Sequence, residues 1–209
     1  MKHYKTIILF TLKAIGIYGI CIVVLFAFAD TGYSSFFRGL GNVLFSSRWN
    51  NVSIQFVPQA VAGTLTAGHT TRNTSIRLNN RDYHYADGRP VLGEIGTNSH
   101  LQGYLPTAMI IALFAAMPLG WWKRLKLLGV GIIAIHGFIS VLLWLVIVSY
   151  AETNGIGWYR FADGMKEFLA ELVSIILMNQ IGISFMVPLL LWVCIIALAG
   201  EFHLLLPKD

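Results

Sequence analysis

The sequence predicts an α-helical integral membrane protein with about four transmembrane helices and a small extracytoplasmic β-rich subdomain between helices 1 and 2. Three observations predict it. Residues 103–122 form an uncharged run of the roughly 20 residues that a bilayer-spanning helix needs. Lys123-Arg124-Leu125-Lys126 follow at once, a basic flank of the kind that marks a cytoplasmic end. The one long polar segment, 30–102, contains short runs in which apolar and polar residues alternate, as they do in half-buried strands.

Composition bounds the function classes. Of 209 residues, 56% are hydrophobic and 12% are charged, against about 25% charged in soluble domains. The mean hydropathy is +0.67. The net charge of +5 is carried by lysines at the expected cytoplasmic ends (Lys2, Lys5, Lys123, Lys126, Lys208), so it follows the positive-inside rule and predicts no nucleic-acid partner. The expected partners are membrane lipid and other membrane protein subunits. Cys21 and Cys194 both lie in apolar runs, which excludes a disulfide framework or a Cys-x-x-Cys site.

Residues 1–29 read as an N-terminal transmembrane anchor, apolar from Thr6 to Ala29 except for Lys13, which can snorkel to the inner interface. Ala27-Phe28-Ala29 before Asp30 matches a signal-peptidase pattern. The apolar stretch is longer than an ordinary signal core and further spans follow, so an uncleaved anchor is expected.

Residues 30–102 read as an extracytoplasmic β-rich subdomain. It opens with aromatic pieces, 32–37 and 40–45, expected to lie against the membrane surface. Strands are expected at 52–57, 62–67, 74–78 and 91–95, with turns at Asn79-Asn80 and at 86–90. Three to five strands give a thin core, which must pack on other elements.

Residues 103–209 read as a three-helix transmembrane region. Pro106 is placed at the first turn of its first helix, where a missing N–H costs nothing. Ala108, Ala112, Ala116 and Gly120 recur every fourth position, a smooth ribbon that admits close helix packing. A short basic loop is expected to lead into a span at 127–150. Residues 164–176 place Met165, Phe168, Leu169, Leu172, Val173 and Ile176 on one face, an interfacial amphipathic helix. Asn179-Gln180 mark a bend before the last crossing at 183–199, which Pro188 kinks without ending.

Chemistry-bearing residues are sparse. His136 is the ionisable side chain near the middle of a span, and intramembrane ionisable groups are functional candidates. With no acid or second His in that span, a hydrogen bond to Ser140 or to a facing helix is the expected role. Asn179 and Gln180 are the other intramembrane polar candidates. Arg72, Arg77 and Arg81 are candidates for contacting an anionic headgroup, polymer or acidic partner, since guanidinium pairs with carboxylate and phosphate in two-pronged fashion. Pairing within the loop, with Asp82, Asp87 or Glu94, is the stronger expectation. His69, His84, Asp82, Asp87, Glu94 and His100 fit no metal-ligand spacing, so no metal, no cofactor and no catalytic residue is expected.

The layout of one anchor, an external β-rich loop and three further spans resembles that of bacterial membrane accessory proteins found with exosortase-type sorting systems. The local likeness lies in Gly103-Tyr104-Leu105-Pro106-Thr107-Ala108. An exosortase itself would need a membrane-embedded cysteine with Arg and His partners, and neither Cys21 nor Cys194 has that setting. The expected function is a non-enzymatic accessory or assembly subunit of an envelope, secretion or surface-polymer complex. A transporter or channel subunit using His136, Asn179 and Gln180 is the alternative, and a membrane-embedded enzyme the third reading.

Overall fold

The computed structural model describes residues 2–46, 52–59, 73–84, 88–156, 161–178 and 180–201. The chain is mostly helical. Its order is α1 (Lys2–Val24), a π-helical turn (Leu25–Ala29), α2 (Asp30–Phe45), β1 (Val52–Pro58), β2 (Thr74–His84), β3 (Pro90–Thr97), a second π turn (His100–Tyr104), α3 (Leu105–Ala116), α4 (Trp121–Thr153), α5 (Asp163–Met178) and α6 (Gln180–Leu198). Two helical stretches, Ile7–Phe28 and Trp121–Thr153, are long and apolar enough to cross a membrane. His100–Ala116 and Gly182–Leu198 are apolar but shorter. The residues form two compact units, each discontinuous in sequence.

The first unit comprises Met1–Asp30, Gly103–Ile139 and Ile181–Asp209. Here α1 packs along α3. Phe10 stacks on Trp192 of α6 with ring centroids 5.4 Å apart, and Tyr18 meets Phe185 edge-on at 5.8 Å. Helix α3 is apolar all round and correspondingly buried, with Ala108, Ile110, Ala112, Phe114 and Ala116 all at most 5% exposed. Gly131 of α4 admits the Phe114 ring, since a Cβ there would lie 2.6 Å from it.

Pro106 falls in the first turn of α3, where the sequence reading places it. A π turn precedes it. Asn98 caps it, its Oδ1 accepting the N–H groups of His100 (2.9 Å) and Leu101 (3.3 Å). Pro106 has no N–H to give the carbonyl four residues back, and it stands where the π turn passes into α3. Thr107 Oγ1 donates to the Gly103 carbonyl at 2.7 Å.

One detail of this unit differs from the sequence reading: a single helix does not run through to Trp122. It ends at Ala116, because Pro118 drives the preceding Met117 into extended backbone (φ −64°, ψ 141°). The expected basic loop is instead the first turn of α4. From there Arg124 reaches back to the carbonyls of Met117 (2.9 Å) and Leu119 (3.0 Å) in the segment that joins α3 to α4.

The second unit comprises Thr31–Gln102 and Ser140–Gln180. Its sheet has the order β1-β2-β3, antiparallel throughout. Cross-strand neighbours share a face. Ile54, Leu78 and Gly93 stand in one row of the buried face, with Phe56 and Ile76 in the next. Gln55, Arg77 and Glu94 form a row on the opposite, exposed face.

The strands expected at 52–57, 74–78 and 91–95 are present; 62–67 lies outside the described residues. The turn expected at Asn79-Asn80 is absent. Strand β2 runs through both residues to His84, with an irregularity in its pairing between Asn80 and His84. The buried Asn80 side chain donates to the Ile156 carbonyl at 2.6 Å and accepts the Asp82 N–H at 3.0 Å, so it serves the sheet and not a loop.

The aromatic pieces before the sheet form helix α2. Ser34, Phe37 and Gly41, spaced three and four apart, supply its buried face. Phe37 and Phe45 pack on Phe56, and Gly41 leaves space for that ring, its notional Cβ falling 2.6 Å away.

Helix α4 ends in a Schellman turn. Gly155 takes φ +63°, its N–H bonds the Glu152 carbonyl, and Ile156 N–H bonds the Ala151 carbonyl at 2.9 Å. Ile156 is thereby fully buried against Gly93 of the sheet. Helix α5 buries Leu169 and Val173 and leaves Met165 and Phe168 exposed.

Candidate functional site

Among the described residues, one cluster of hydrogen-bonding side chains joins Ser34 of α2, Asn73 before β2, and Ser99 and His100 in the turn that Asn98 caps. Ser34 Oγ lies 3.0 Å from Ser99 Oγ and 3.3 Å from His100 Nε2. Asn73 Oδ1 accepts the Ser99 N–H (3.0 Å) and the Thr74 hydroxyl (3.2 Å). Those two donors fix the amide, so its Nδ2 faces Ser34 Oγ (3.2 Å) and His100 Nδ1 (3.4 Å). The same Nδ2 also lies 3.5 Å from His100 Nε2, so it approaches both ring nitrogens.

Ser34 is 5% exposed and Ser99 fully buried. The cluster therefore ties α2, the residue before β2 and the turn that Asn98 caps, and it holds both hydroxyls away from solvent. Its neighbours continue the tie: Asn73 N–H bonds the Thr97 carbonyl at 3.2 Å, and the Thr97 hydroxyl donates to Gln102 Oε1.

The residues singled out from sequence are dispersed. Ala108, Ala112 and Ala116 are buried on α3; Gly120 lies past the helix end, exposed and with no atom within 4 Å of where a Cβ would stand. His136 Nδ1 donates to the Ile132 carbonyl of its own helix at 2.9 Å. Asn179 lies outside the described residues, and Gln180 opens α6.

Arg77 sits 3.8 Å from Glu94 across the strand pair, both side chains 58% exposed. Glu94 also accepts the Ser75 hydroxyl. Arg81 is exposed on β2 and Arg72 is outside the described residues. Among the described residues no three His, Cys, Asp or Glu side chains gather closely enough to hold a metal ion. Cys21 and Cys194 are free thiols.

A separate cavity of about 300 Å³ opens where the end of α4 meets α5. Glu152 and Lys166 form an ion pair on its wall at 2.8 Å, with Glu167 and the Ser149 and Thr153 side chains beside it and Phe161, Leu169 and Ala170 as the apolar part. The pair raises the Lys166 pKa, through the hydrogen bond to Glu152 and then its charge. In the first unit, Lys123 pairs with Glu201, a carboxylate only 9% exposed that follows the Gly200 turn (φ +70°) ending α6.

Sequence reasoning missed Ser34, Asn42, Asn73, Asn80 and Ser99. Only Asn98-Ser99 carried a local signal, that of a helix cap. The others join elements through partners that lie 14 to 76 positions away. No protein-family model, curated protein or solved structure matches this chain.

Proposed function

We propose that the chain is a four-span bacterial inner-membrane protein and a non-enzymatic accessory or assembly subunit of an envelope, secretion or surface-polymer complex. In this reading α1, the helix 100–116, α4 and α6 cross the bilayer, both termini are cytoplasmic, and 30–102 faces the periplasm or exterior. One observation supports it most directly. Helix α1, nearly all of the helix 100–116 and of α6, and the first part of α4 fall in one compact unit, while the sheet, α5 and nearly all of α2 fall in the other.

A second feature favours a subunit over a solitary enzyme. Helix α1 exposes Ile8, Leu12, Ile15, Ile20 and Val23, each 55% or more, along its length. Lipid or a second protein's helix must cover such a ridge. The Ser34–His100 tie is consistent with that role, because its polar groups hold elements together.

The test is extraction and co-purification. The protein is expected to resist alkaline washing of membranes, to need detergent, and to bring partners in fixed ratio through a mild-detergent column. Arg77→Cys is expected to react with an impermeant thiol reagent in intact cells. A lone monodisperse chain would remove the subunit role, and labelling from the cytosolic side alone would remove the topology.

A further inference from the structure

The cavity between α4 and α5 has a charge pattern that selects its ligand. Its wall carries two carboxylates, Glu152 and Glu167, and one ammonium, Lys166, leaving one net negative charge. Lys166 is held by Glu152 at 2.8 Å and also lies 3.6 Å from Asp163, a fully solvated side chain. An anionic ligand would add to that net negative charge. A zwitterion leaves it unchanged: its ammonium meets Glu152 and Glu167 while its anion meets Lys166.

The depth of the cavity identifies the source of that zwitterion, and this step rests on the membrane reading above. Helix α4 has 33 residues, about 50 Å at 1.5 Å per residue, against a hydrocarbon core of about 30 Å. With the basic first turns outside the core, about 20 residues from Leu127 reach roughly to Val146. Ser149, Glu152 and Thr153 then stand within about 10 Å beyond it, the depth of the lipid headgroups. Met165 and Phe168, next to the cavity on α5, are exposed apolar side chains suited to the same layer. The volume, about 300 Å³, is at the small end of ligand pockets.

We infer that this cavity holds the zwitterionic headgroup of an aminophospholipid, its primary ammonium against Glu152 and Glu167 and its phosphate against Lys166. Phe161, Leu169 and Ala170 supply the apolar wall for the glycerol end.

The test uses full-length protein in detergent, exchanged into mixtures of phosphatidylethanolamine, phosphatidylglycerol and phosphatidylcholine, with retained lipid measured by native mass spectrometry. Phosphatidylethanolamine is expected to be retained over phosphatidylglycerol, which lacks the ammonium, and over phosphatidylcholine, whose ammonium has no N–H to donate. Glu152→Gln is expected to weaken that retention about tenfold, the loss of one charge-assisted bond. Ala170→Phe fills the cavity from an exposed position, leaves the ion pair intact, and is expected to abolish the preference in a folded protein.

Equal retention of the three lipids, or an unchanged preference in both variants, would overturn the site. Equal protection by water-soluble glycerophosphoethanolamine would overturn its assignment to lipid. Alkaline washing of membranes, done first, keeps the outcomes apart: a protein that stays in the membrane but shows no lipid preference loses only this site.

Discussion

Asn42 of α2 acts as a missing strand for Phe56 of β1. Its Nδ2 donates to the Phe56 carbonyl at 3.1 Å and its Oδ1 accepts the Phe56 N–H at 2.7 Å. One side-chain amide thus makes both bonds that a neighbouring peptide group would make. It does so on an edge strand, where unpaired backbone groups invite pairing with other chains. At the opposite edge, the Tyr150 hydroxyl accepts the Glu94 N–H of β3 at 3.4 Å.

Asn42→Ala is accordingly expected to destabilise the protein by about 1–3 kcal/mol, since it strands two backbone groups beside a buried phenylalanine. Denaturant unfolding in detergent measures the loss. Asn42→Asp keeps the acceptor for the Phe56 N–H and sets an oxygen against the Phe56 carbonyl, so it is expected to be no better than alanine. Parental stability in both variants would show that water replaces the amide without cost.

Ala112 and Gly120 were read from sequence as parts of one ribbon, and the structure predicts opposite responses from them. Ala112 is fully buried, so Ala112→Leu forces extra carbons into a packed interface, an effect of about 1–3 kcal/mol. Gly120→Leu enters open space and is expected to leave melting temperature and yield unchanged. Equal tolerance at the two positions would place Ala112 against lipid.

Gly131 and Gly129 make a second pair, both on α4. Gly131→Ala puts a methyl group 2.6 Å from Phe114 and 3.0 Å from Ile110, and is expected to lower the melting temperature. Gly129→Ala meets nothing within 4 Å and is expected to be neutral or to stabilise the helix by up to about 1 kcal/mol. A stabilising effect at both positions would mean that the α3–α4 contact yields freely.

The Lys166–Glu152 pair predicts a pH dependence at the alkaline end. Lys166 is raised above its ordinary value of 10.5. A folded value above the unfolded one gives stabilisation that is fully present below the unfolded value and lost as pH rises through the folded one. Thermal unfolding of the parent is therefore expected to lose ground to that of Glu152→Gln as pH climbs past 10.5. Parallel curves would show that the pair is too solvated to matter.

Legibility tracked the range of the interactions. The alternation in 52–57 and 74–78 revealed strands because period-two patterning is local. The apolar runs revealed α1, α4 and α6 for the same reason. The end of α3 was written in Met117-Pro118, but the uncharged run around it read as one helix, since hydropathy averages over the very residue that breaks the backbone. Helix α2 was obscured by Gly32, Gly39 and Gly41, which lower helix propensity, although Gly41 is what allows the Phe56 ring to close on the helix.

The site was far less legible. Ser34, Asn73 and His100 have no motif spacing, and the roles of Asn42 and Asn80 depend on backbone groups of Phe56 and Ile156 that no sequence pattern couples to them.

By itself the sequence determined the apolar helices and the strands at 52–57, 74–78 and 91–95, because hydrophobic periodicity acts over a few residues. Only the tertiary structure decided which polar side chains became partners, where Gly120 and the basic cluster fall, and that Glu152 and Lys166 share a cavity wall. Those outcomes depend on contacts between distant segments, whose geometry exists only once the helices and strands have packed.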